Sequence, residues 1–212
     1  MAEVLFTHSY FLQFDPKEHK AMMPYPPLGT IYAAAAARSR GFSVALHDVM
    51  LEKSERSLVR SLELHRPQVL VIYDDSFNYL TKMCLSRMRE AAYRLTGLGK
   101  QYGSSVVVFS SDATDHLQQY LAKGADYVIC GEAEITLCEL LEVLLRGSPK
   151  QKEEIHGLAF LKDGTVLTTR KREILRDLDQ LPFPAWDLVD IDLYRDAWIS
   201  HHGYFSLNVS TT

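Results

Sequence analysis

A chain of 212 residues, 47% of them hydrophobic, has room for one sizeable core and needs no metal or disulfide staple to fold. Its formal net charge of -4, spread over both signs, leaves no broad basic face for a phosphate backbone, so nucleic acid is not an expected partner. The three cysteines, Cys84, Cys130 and Cys138, form no CxxC pair and have no histidine at ligand spacing, which argues for a reducing compartment and against a zinc site.

The N-terminus MAEVLFTHSYF lacks the basic and long apolar regions of a signal peptide, and charged residues interrupt every apolar window. The expected location is therefore cytoplasmic, with no membrane partner.

In chain order, EVLFTH (3–8) reads as a short strand, and the polar stretch up to Pro26 and Pro27 keeps a helix from starting before Leu28. TIYAAAAARSRG then reads as a helix whose alanines permit close approach to a sheet, closed by Gly41. FSVALHD is a second strand, SERSLVRSLELH a second helix, and QVLVIYDD a strand apolar enough to be covered on both faces. Residues 79–96 read as a third helix, 105–109 as a fourth strand, 112–123 as a fourth helix, 126–130 as a fifth strand and 133–146 as a fifth helix. This alternation predicts an α/β fold: a doubly wound, Rossmann-like, five-stranded parallel sheet with flanking helices.

Beyond Gly147 a charged linker leads to GLAFLKDGTVLTTRKRE, a hairpin turning at Lys162-Asp163-Gly164. The rest is rich in turn residues until YFSLNVS, which reads as one more strand. The organisation expected is a first domain over 1–147, a hairpin and connector over 148–203, and the start of a further domain over 204–212.

In a doubly wound sheet, ligands sit beyond the carboxyl ends of the strands. The candidates are Thr7, His8, Ser9 and Tyr10 after the first strand, and Asp48 and Val49 after the second. Asp74, Asp75, Ser76, Phe77 and Asn78 follow the third, Ser110 to Ala113 the fourth, and Gly131, Glu132, Ala133 and Glu134 the fifth. The GxGxxG fingerprint and the Walker phosphate loop are both absent, and no nucleophilic triad falls at the tips. Asp74 and Asp75 could hold magnesium or serve as caps. The serines and alanines suit a large neutral ligand better than a phosphate.

Four stretches carry a resemblance: YPPLGTIYAAAAARSRGFSVALHD (25–48), VLVIYDDSFNY (69–79), the run 106–144 containing Gly131-Glu132-Ala133-Glu134-Ile135-Thr136-Leu137, and DLDQLPFPAWDLVDIDLY with YFSLNVSTT. Together they resemble the N-terminal cobalamin-binding domain of cobalamin-dependent radical SAM enzymes. Two departures are visible: Ser110 and Ser111 replace a more usual glycine pair, and Ala133 replaces a glycine in the signature GEGExTL.

The resemblance implies cobalamin as the cofactor of this domain. The set it puts in contact with the cofactor is Ser9, Tyr10, Leu28, Gly29, Asp75, Ser76, Phe77, Asn78, Ser110, Ser111, Gly131, Glu132 and Glu134. It implies that Ser76 meets the nucleotide tail, that Tyr10 and Leu28-Gly29 flank the corrin edge, and that Glu132 and Glu134 accept hydrogen bonds from ribose or amide groups. No DxHxxG occurs, so no protein imidazole is expected beneath the cobalt, and no metal ligand or catalytic residue is assigned in this chain.

The resemblance further implies a radical SAM barrel in a longer chain. That barrel would hold a [4Fe-4S] cluster and S-adenosylmethionine on a CxxxCxxC motif absent from these 212 residues. The function expected is methyl transfer from methylcobalamin to a substrate radical, with this domain not competent alone; the alternative is a stand-alone cobalamin carrier. Trp186, Tyr194 and Trp198 are expected as exposed interdomain aromatics.

Overall fold

The computed structural model describes residues 1–74 and 84–209. A seven-stranded sheet in the order β2-β1-β3-β4-β5-β6-β7 runs through the molecule: β1 Val4–Thr7, β2 Val44–His47, β3 Val69–Tyr73, β4 Ser105–Phe109, β5 Tyr127–Ile129, β6 Leu158–Lys162 and β7 Thr165–Thr168. The first five are parallel, as the alternating pattern predicts. The hairpin β6–β7 is not a separate appendage. It adds antiparallel to β5, pairing Ile129 with Leu158, and continues the same sheet. Its turn is of the I′ kind, with positive φ at both Asp163 and Gly164.

The period of two along each strand sends alternate residues to two cores. Leu5, Leu70, Ile72, Val106, Val108 and Val128 face α3 (Leu58–His65), α4 (Leu85–Gln101) and the pair α5 (Ser111–Asp115) and α6 (Leu117–Ala122). Val4, Phe6, Val69, Val71, Val107 and Ile129 face α2 (Leu28–Ser39) and α7 (Glu134–Arg146). The small side chains of Ala33, Ala34 and Ala37 let α2 lie close against both the sheet and α7. All five β3 residues are buried, as expected of a strand covered on both sides.

Further features depart from the sequence expectation: the helix read over 79–96 runs on to Gln101 as α4, its expected start at 79–83 lying outside the described residues. A short helix α1 (Pro16–Ala21) lies in the segment read as irregular; Asp15 caps it and Pro16 opens it, the two signals that start a helix. The helix expected over 112–123 breaks at His116 into α5 and α6. Residues 191–202 form a helix, α8 (Ile191–His202), closed by Gly203 at φ +75°. Residues 205–209, read as a strand, carry no regular structure.

Tyr194 and Trp198, four apart on α8 and so on one face, are almost fully buried rather than exposed, and Trp186 is half-buried. Tyr194, with Trp186 packed against it, closes a third core with Tyr10, Leu12, Leu28, Ile31 and Met50, while Trp198 packs against Tyr25. Among the described residues, no helix is long and apolar enough to cross a membrane.

Candidate functional site

In the order 2-1-3-4-5 the chain leaves β1 to opposite sides, so the crevice at the switch point opens beyond β1 and β3. The residues after those strands meet there. Asp74 accepts the Ser9 N–H at 2.6 Å on one oxygen and the Ser9 hydroxyl at 2.9 Å on the other, clamping the two tips together. The Asp74 N–H in turn donates to the Phe109 carbonyl at 2.9 Å, tying in β4. Burial pushes the Asp74 carboxyl up, against the opposing pull of the Ser9 N–H and of His8. Asp74 thus acts as a clamp between tips, with both oxygens engaged.

Next to it, His8 Nε2 lies 2.9 Å from Asp48 Oδ1, and Tyr194 on α8 donates its hydroxyl to Asp48 Oδ2 at 2.5 Å. Burial alone would raise Asp48, but His8, Tyr194 and the Met50 N–H outweigh it and hold the carboxyl below its ordinary range. Burial, with Asp48 adding to it, pushes the Tyr194 hydroxyl well up.

Trp198 Nε1 donates to the Pro24 carbonyl at 2.8 Å, the Ala185 N–H to Ile31 at 3.1 Å, and Arg38 grips Asp187 with two bonds of 2.6 and 2.8 Å. The segment 185–202 is therefore strapped over the β2–β1 end of the crevice. Beneath it remains a cavity of about 20 Å³ lined by His8, Tyr10, Pro26, Pro27, Met50 and Asp74, enough for one water-sized group.

Three buried polar atoms in this region lack a hydrogen-bond partner among the described residues: the Tyr10 hydroxyl, Asp15 Oδ2, and Oδ1 of Asn208, whose amide N–H donates to the Pro26 carbonyl at 3.2 Å. Asp15 spends its other oxygen on the Lys17 and Glu18 N–H groups that start α1, each at 3.1 Å.

Beyond β4, Ser110 is buried and caps α5, its Oγ accepting the Ala113 N–H at 2.9 Å while its side chain also hydrogen-bonds the Tyr120 hydroxyl. Ser111 is exposed. Asp112 is turned away from the edge and pairs with Arg89 at 2.8 Å and Tyr120 at 2.8 Å.

Beyond β5, Gly131 sits at φ +82° with no atom within 4 Å of where a Cβ would stand, so it is the turn, rather than a close neighbour, that calls for glycine. Glu134 accepts the Tyr73 hydroxyl at 2.7 Å, joining α7 to the tip of β3. Glu132 is half-buried, and its carboxylate makes no hydrogen bond among the described residues.

Because β6 runs back along β5, the residues before β6 and after β7 reach this same edge. Cys130 N–H donates to Gly157 at 2.8 Å, and Arg172 donates to Thr136 at 2.6 Å and to Glu139 at 2.7 Å. They border a half-open cavity of about 460 Å³ lined by Ile135, His156, Arg170, Arg172, Ile174 and Arg176 among others.

The crevice thus brings together Ser9 and Tyr10, with Ser110, Ser111, Gly131, Glu132 and Glu134 along the β4–β5 continuation of the edge. Leu28 and Gly29 begin α2: Leu28 is packed into the third core beside Tyr10, and Gly29 is half-buried. Asp75, Ser76, Phe77 and Asn78 lie outside the described residues. The sequence reading missed Asp15 and the pairing of His8 and Asp48 with Tyr194. Tyr194 lies 146 positions from Asp48, so no local pattern could announce that contact.

No family model matches the chain. Among curated proteins it is 24% identical over 174 residues to an uncharacterized methyltransferase of Pyrococcus horikoshii; the match takes in 80% of this chain and 35% of that protein. Its fold is shared by two solved enzymes. The first is the radical S-adenosylmethionine methyltransferase TsrM from Kitasatospora setae, solved with cobalamin and a [4Fe-4S] cluster, at TM-score 0.64 and 15% identity over 87% of this chain and 31% of that one. The second is the cobalamin-dependent radical enzyme OxsB, solved with aqua-cobalamin and S-adenosylmethionine, at TM-score 0.67 and 16% identity over 89% of this chain and 24% of that one. The chain spans about a third of the curated relative and between a quarter and a third of the two solved ones.

Proposed function

We propose that this chain is a cobalamin-binding module belonging to a radical S-adenosylmethionine methyltransferase. In that reading a barrel domain elsewhere in a longer protein holds the [4Fe-4S] cluster and S-adenosylmethionine. The observation that carries the reading is the shared fold over nearly the whole chain with two enzymes solved with a cobalamin bound, joined by a curated relative named as a methyltransferase.

The residues at the edge fit such a ligand in donor chemistry. The tips of β1, β3 and β4 carry hydroxyls, a buried acid and small side chains but no lysine or arginine, as suits a neutral, amide-rich molecule rather than a free phosphate. A buried hydroxyl with no partner among the described residues, that of Tyr10, is the kind of atom a ligand completes.

Tyr10 and Ser111 would hold the molecule by hydroxyl donation, Ser9, whose proton goes to Asp74, and Ser110 would offer their hydroxyl oxygens, Glu132 and Glu134 would accept from its donors, and Gly131 shapes the turn that presents them. Leu28 and Gly29 support Tyr10 from α2, and Asp75, Ser76, Phe77 and Asn78 remain assigned to the cofactor on the sequence resemblance alone. Methylcobalamin, when bound, supplies a methyl group for transfer. The work of this chain is to bind and orient it.

Incubation with hydroxocobalamin followed by gel filtration and a visible spectrum tests the proposal. Stoichiometric co-elution of the corrin absorbance is expected, and a colourless protein peak would overturn the reading.

A further inference from the structure

The half-open cavity at the β5–β6–β7 end, about 460 Å³, is large enough for a small molecule, and the cobalamin reading makes no use of it. Arg170, Arg172 and Arg176 line it together with His156, and Ile135 and Ile174 give it an apolar wall. Three arginines gathered on one hollow raise its potential, and a negative group entering it would relieve their mutual repulsion.

Arg172 is the fixed member of the three. Its side chain is only 14% exposed, Nε donates to Thr136 Oγ1 at 2.6 Å and Nη2 to Glu139 at 2.7 Å, while Nη1 makes no hydrogen bond among the described residues. Thr136 is held in turn by the His156 carbonyl at 2.9 Å and Glu139 by Lys150 at 3.0 Å, so the guanidinium fork is in place before any ligand arrives. The Glu139 carboxylate is shared by two cations, Arg172 and Lys150, and therefore does not cancel the charge on this wall. The Arg170 carbonyl accepts the Gly157 N–H at 2.8 Å, which ties the arginine-bearing segment to the start of β6. Arg170 and Arg176 are exposed and form no ion pair among the described residues, although Glu173 and Asp177 line the same cavity.

We propose that this cavity binds a compact organic oxyanion, a carboxylate or phosphate monoester carried on an apolar body. Arg172 Nη1 and the side chains of Arg170 and Arg176 donate to the anion, as guanidinium groups do to planar or tetrahedral oxyanions, and Ile135 and Ile174 cover the body. Glu173 and Asp177 keep the ligand compact, since a long polyanion would run into them. The site is separate from the crevice beyond β1 and β3 and does not rest on the cobalamin reading.

The test titrates the whole isotope-labelled chain with benzoate, phenyl phosphate and the neutral benzamide, following the amide signals of Gly157 and Arg172. The same titrations are run on the double variant Arg170→Ala, Arg176→Ala and on Arg60→Ala, which removes an exposed arginine from α3 and serves as a charge control. Saturable shifts are expected with at least one of the two acids and none with benzamide, and the tighter acid names the anion. In the double variant the affinity should fall by about tenfold or more, the loss of charge-assisted hydrogen bonds, while Arg60→Ala binds as wild type. Because neither Arg170 nor Arg176 forms an ion pair among the described residues, the ligand-free double variant should melt with the wild type.

Absence of a saturable shift with either acid, an equal shift with benzamide, or a double variant that binds as wild type overturns the site. An equal loss in Arg60→Ala does so too, since it marks attraction to net charge. The titrations are repeated in the presence of excess hydroxocobalamin: displacement of the acid would assign the cavity to the phosphodiester of that cofactor and overturn a separate site, whereas undisturbed binding supports it. A chain that retains no cobalamin and still shows the anion shifts loses the cobalamin reading and keeps this one.

Discussion

The two ends of the strand-tip edge are built in opposite ways. At the β2–β1–β3 end, Asp48 is shared between His8 and Tyr194, Asp74 is saturated by Ser9, and α8 seals the whole with Trp198. At the β5–β6–β7 end, arginines and His156 border a half-open cavity of about 460 Å³, held together by a few bonds around Thr136, Glu139 and Gly157. One end spends its polar groups on each other and on a strap; the other leaves several of them to solvent. Rigid pairing at the first end fixes the switch-point geometry, while the open end leaves surface that a second body can contact.

If the closed end depends on the strap, removing its largest anchor should be the most damaging change. Trp198→Ala vacates a fully buried indole and should destabilise the chain by about 3–5 kcal/mol in a denaturant titration. A near-neutral result would show that α8 does not seal the crevice.

Acid should act on the closed end next. His47, which ends β2 with its ring between the Ser57 and Ser61 hydroxyls, has its pKa lowered to about 4 by burial and by neighbouring His8. Because the folded value lies below the unfolded one, its contribution is fully present above about pH 6.5 and is lost as the pH falls towards 4, up to about 3 kcal/mol. Asp48, also depressed, adds a further loss below about pH 4. Asp74, raised by burial, has the reverse sign and gains stability as acid protonates it in the folded state first. Stability measured from pH 7 to 4 in wild type and in His47→Gln should separate the histidine's share; identical profiles would remove it from the account.

At the open end the sensitive position is backbone. Gly157 has φ +77°, and a Cβ there would stand 2.8 Å from the Cys130 carbonyl oxygen, so Gly157→Ala should cost about 2 kcal/mol and loosen the β5–β6 junction. Hydrogen exchange at Leu158 and Ile129 would report it, and unchanged protection would contradict the tight approach.

The smallest effect is expected from Arg38→Ala. Its bidentate pair with Asp187 is exposed on both sides and should be worth about 0.5 kcal/mol, vanishing in high salt. A loss comparable to that of Trp198→Ala would mean that the strap is held by charge and not by packing.

The parallel sheet was legible because its signals are local. Apolar runs of β-branched residues at β3 and β4, the alanine stripe of α2 and the Asp163-Gly164 turn each dictate conformation within a few residues. Helix α8 also carried its signals, Tyr194 and Trp198 four apart and Gly203 after the last turn, but Pro182 and Pro184 just before it made the region read as irregular.

What sequence alone determined, then, is the alternation of strands and helices and hence which residues stand at the carboxyl edge, since side-chain period and strand polarity follow from the chain itself. Only the tertiary structure decided which of those residues serve each other. Asp48 meeting Tyr194, Asp74 closing on Ser9, the hairpin joining β5 and the hydroxyl of Tyr10 left without a partner among the described residues are contacts between distant segments, fixed by packing and desolvation and written in no local pattern.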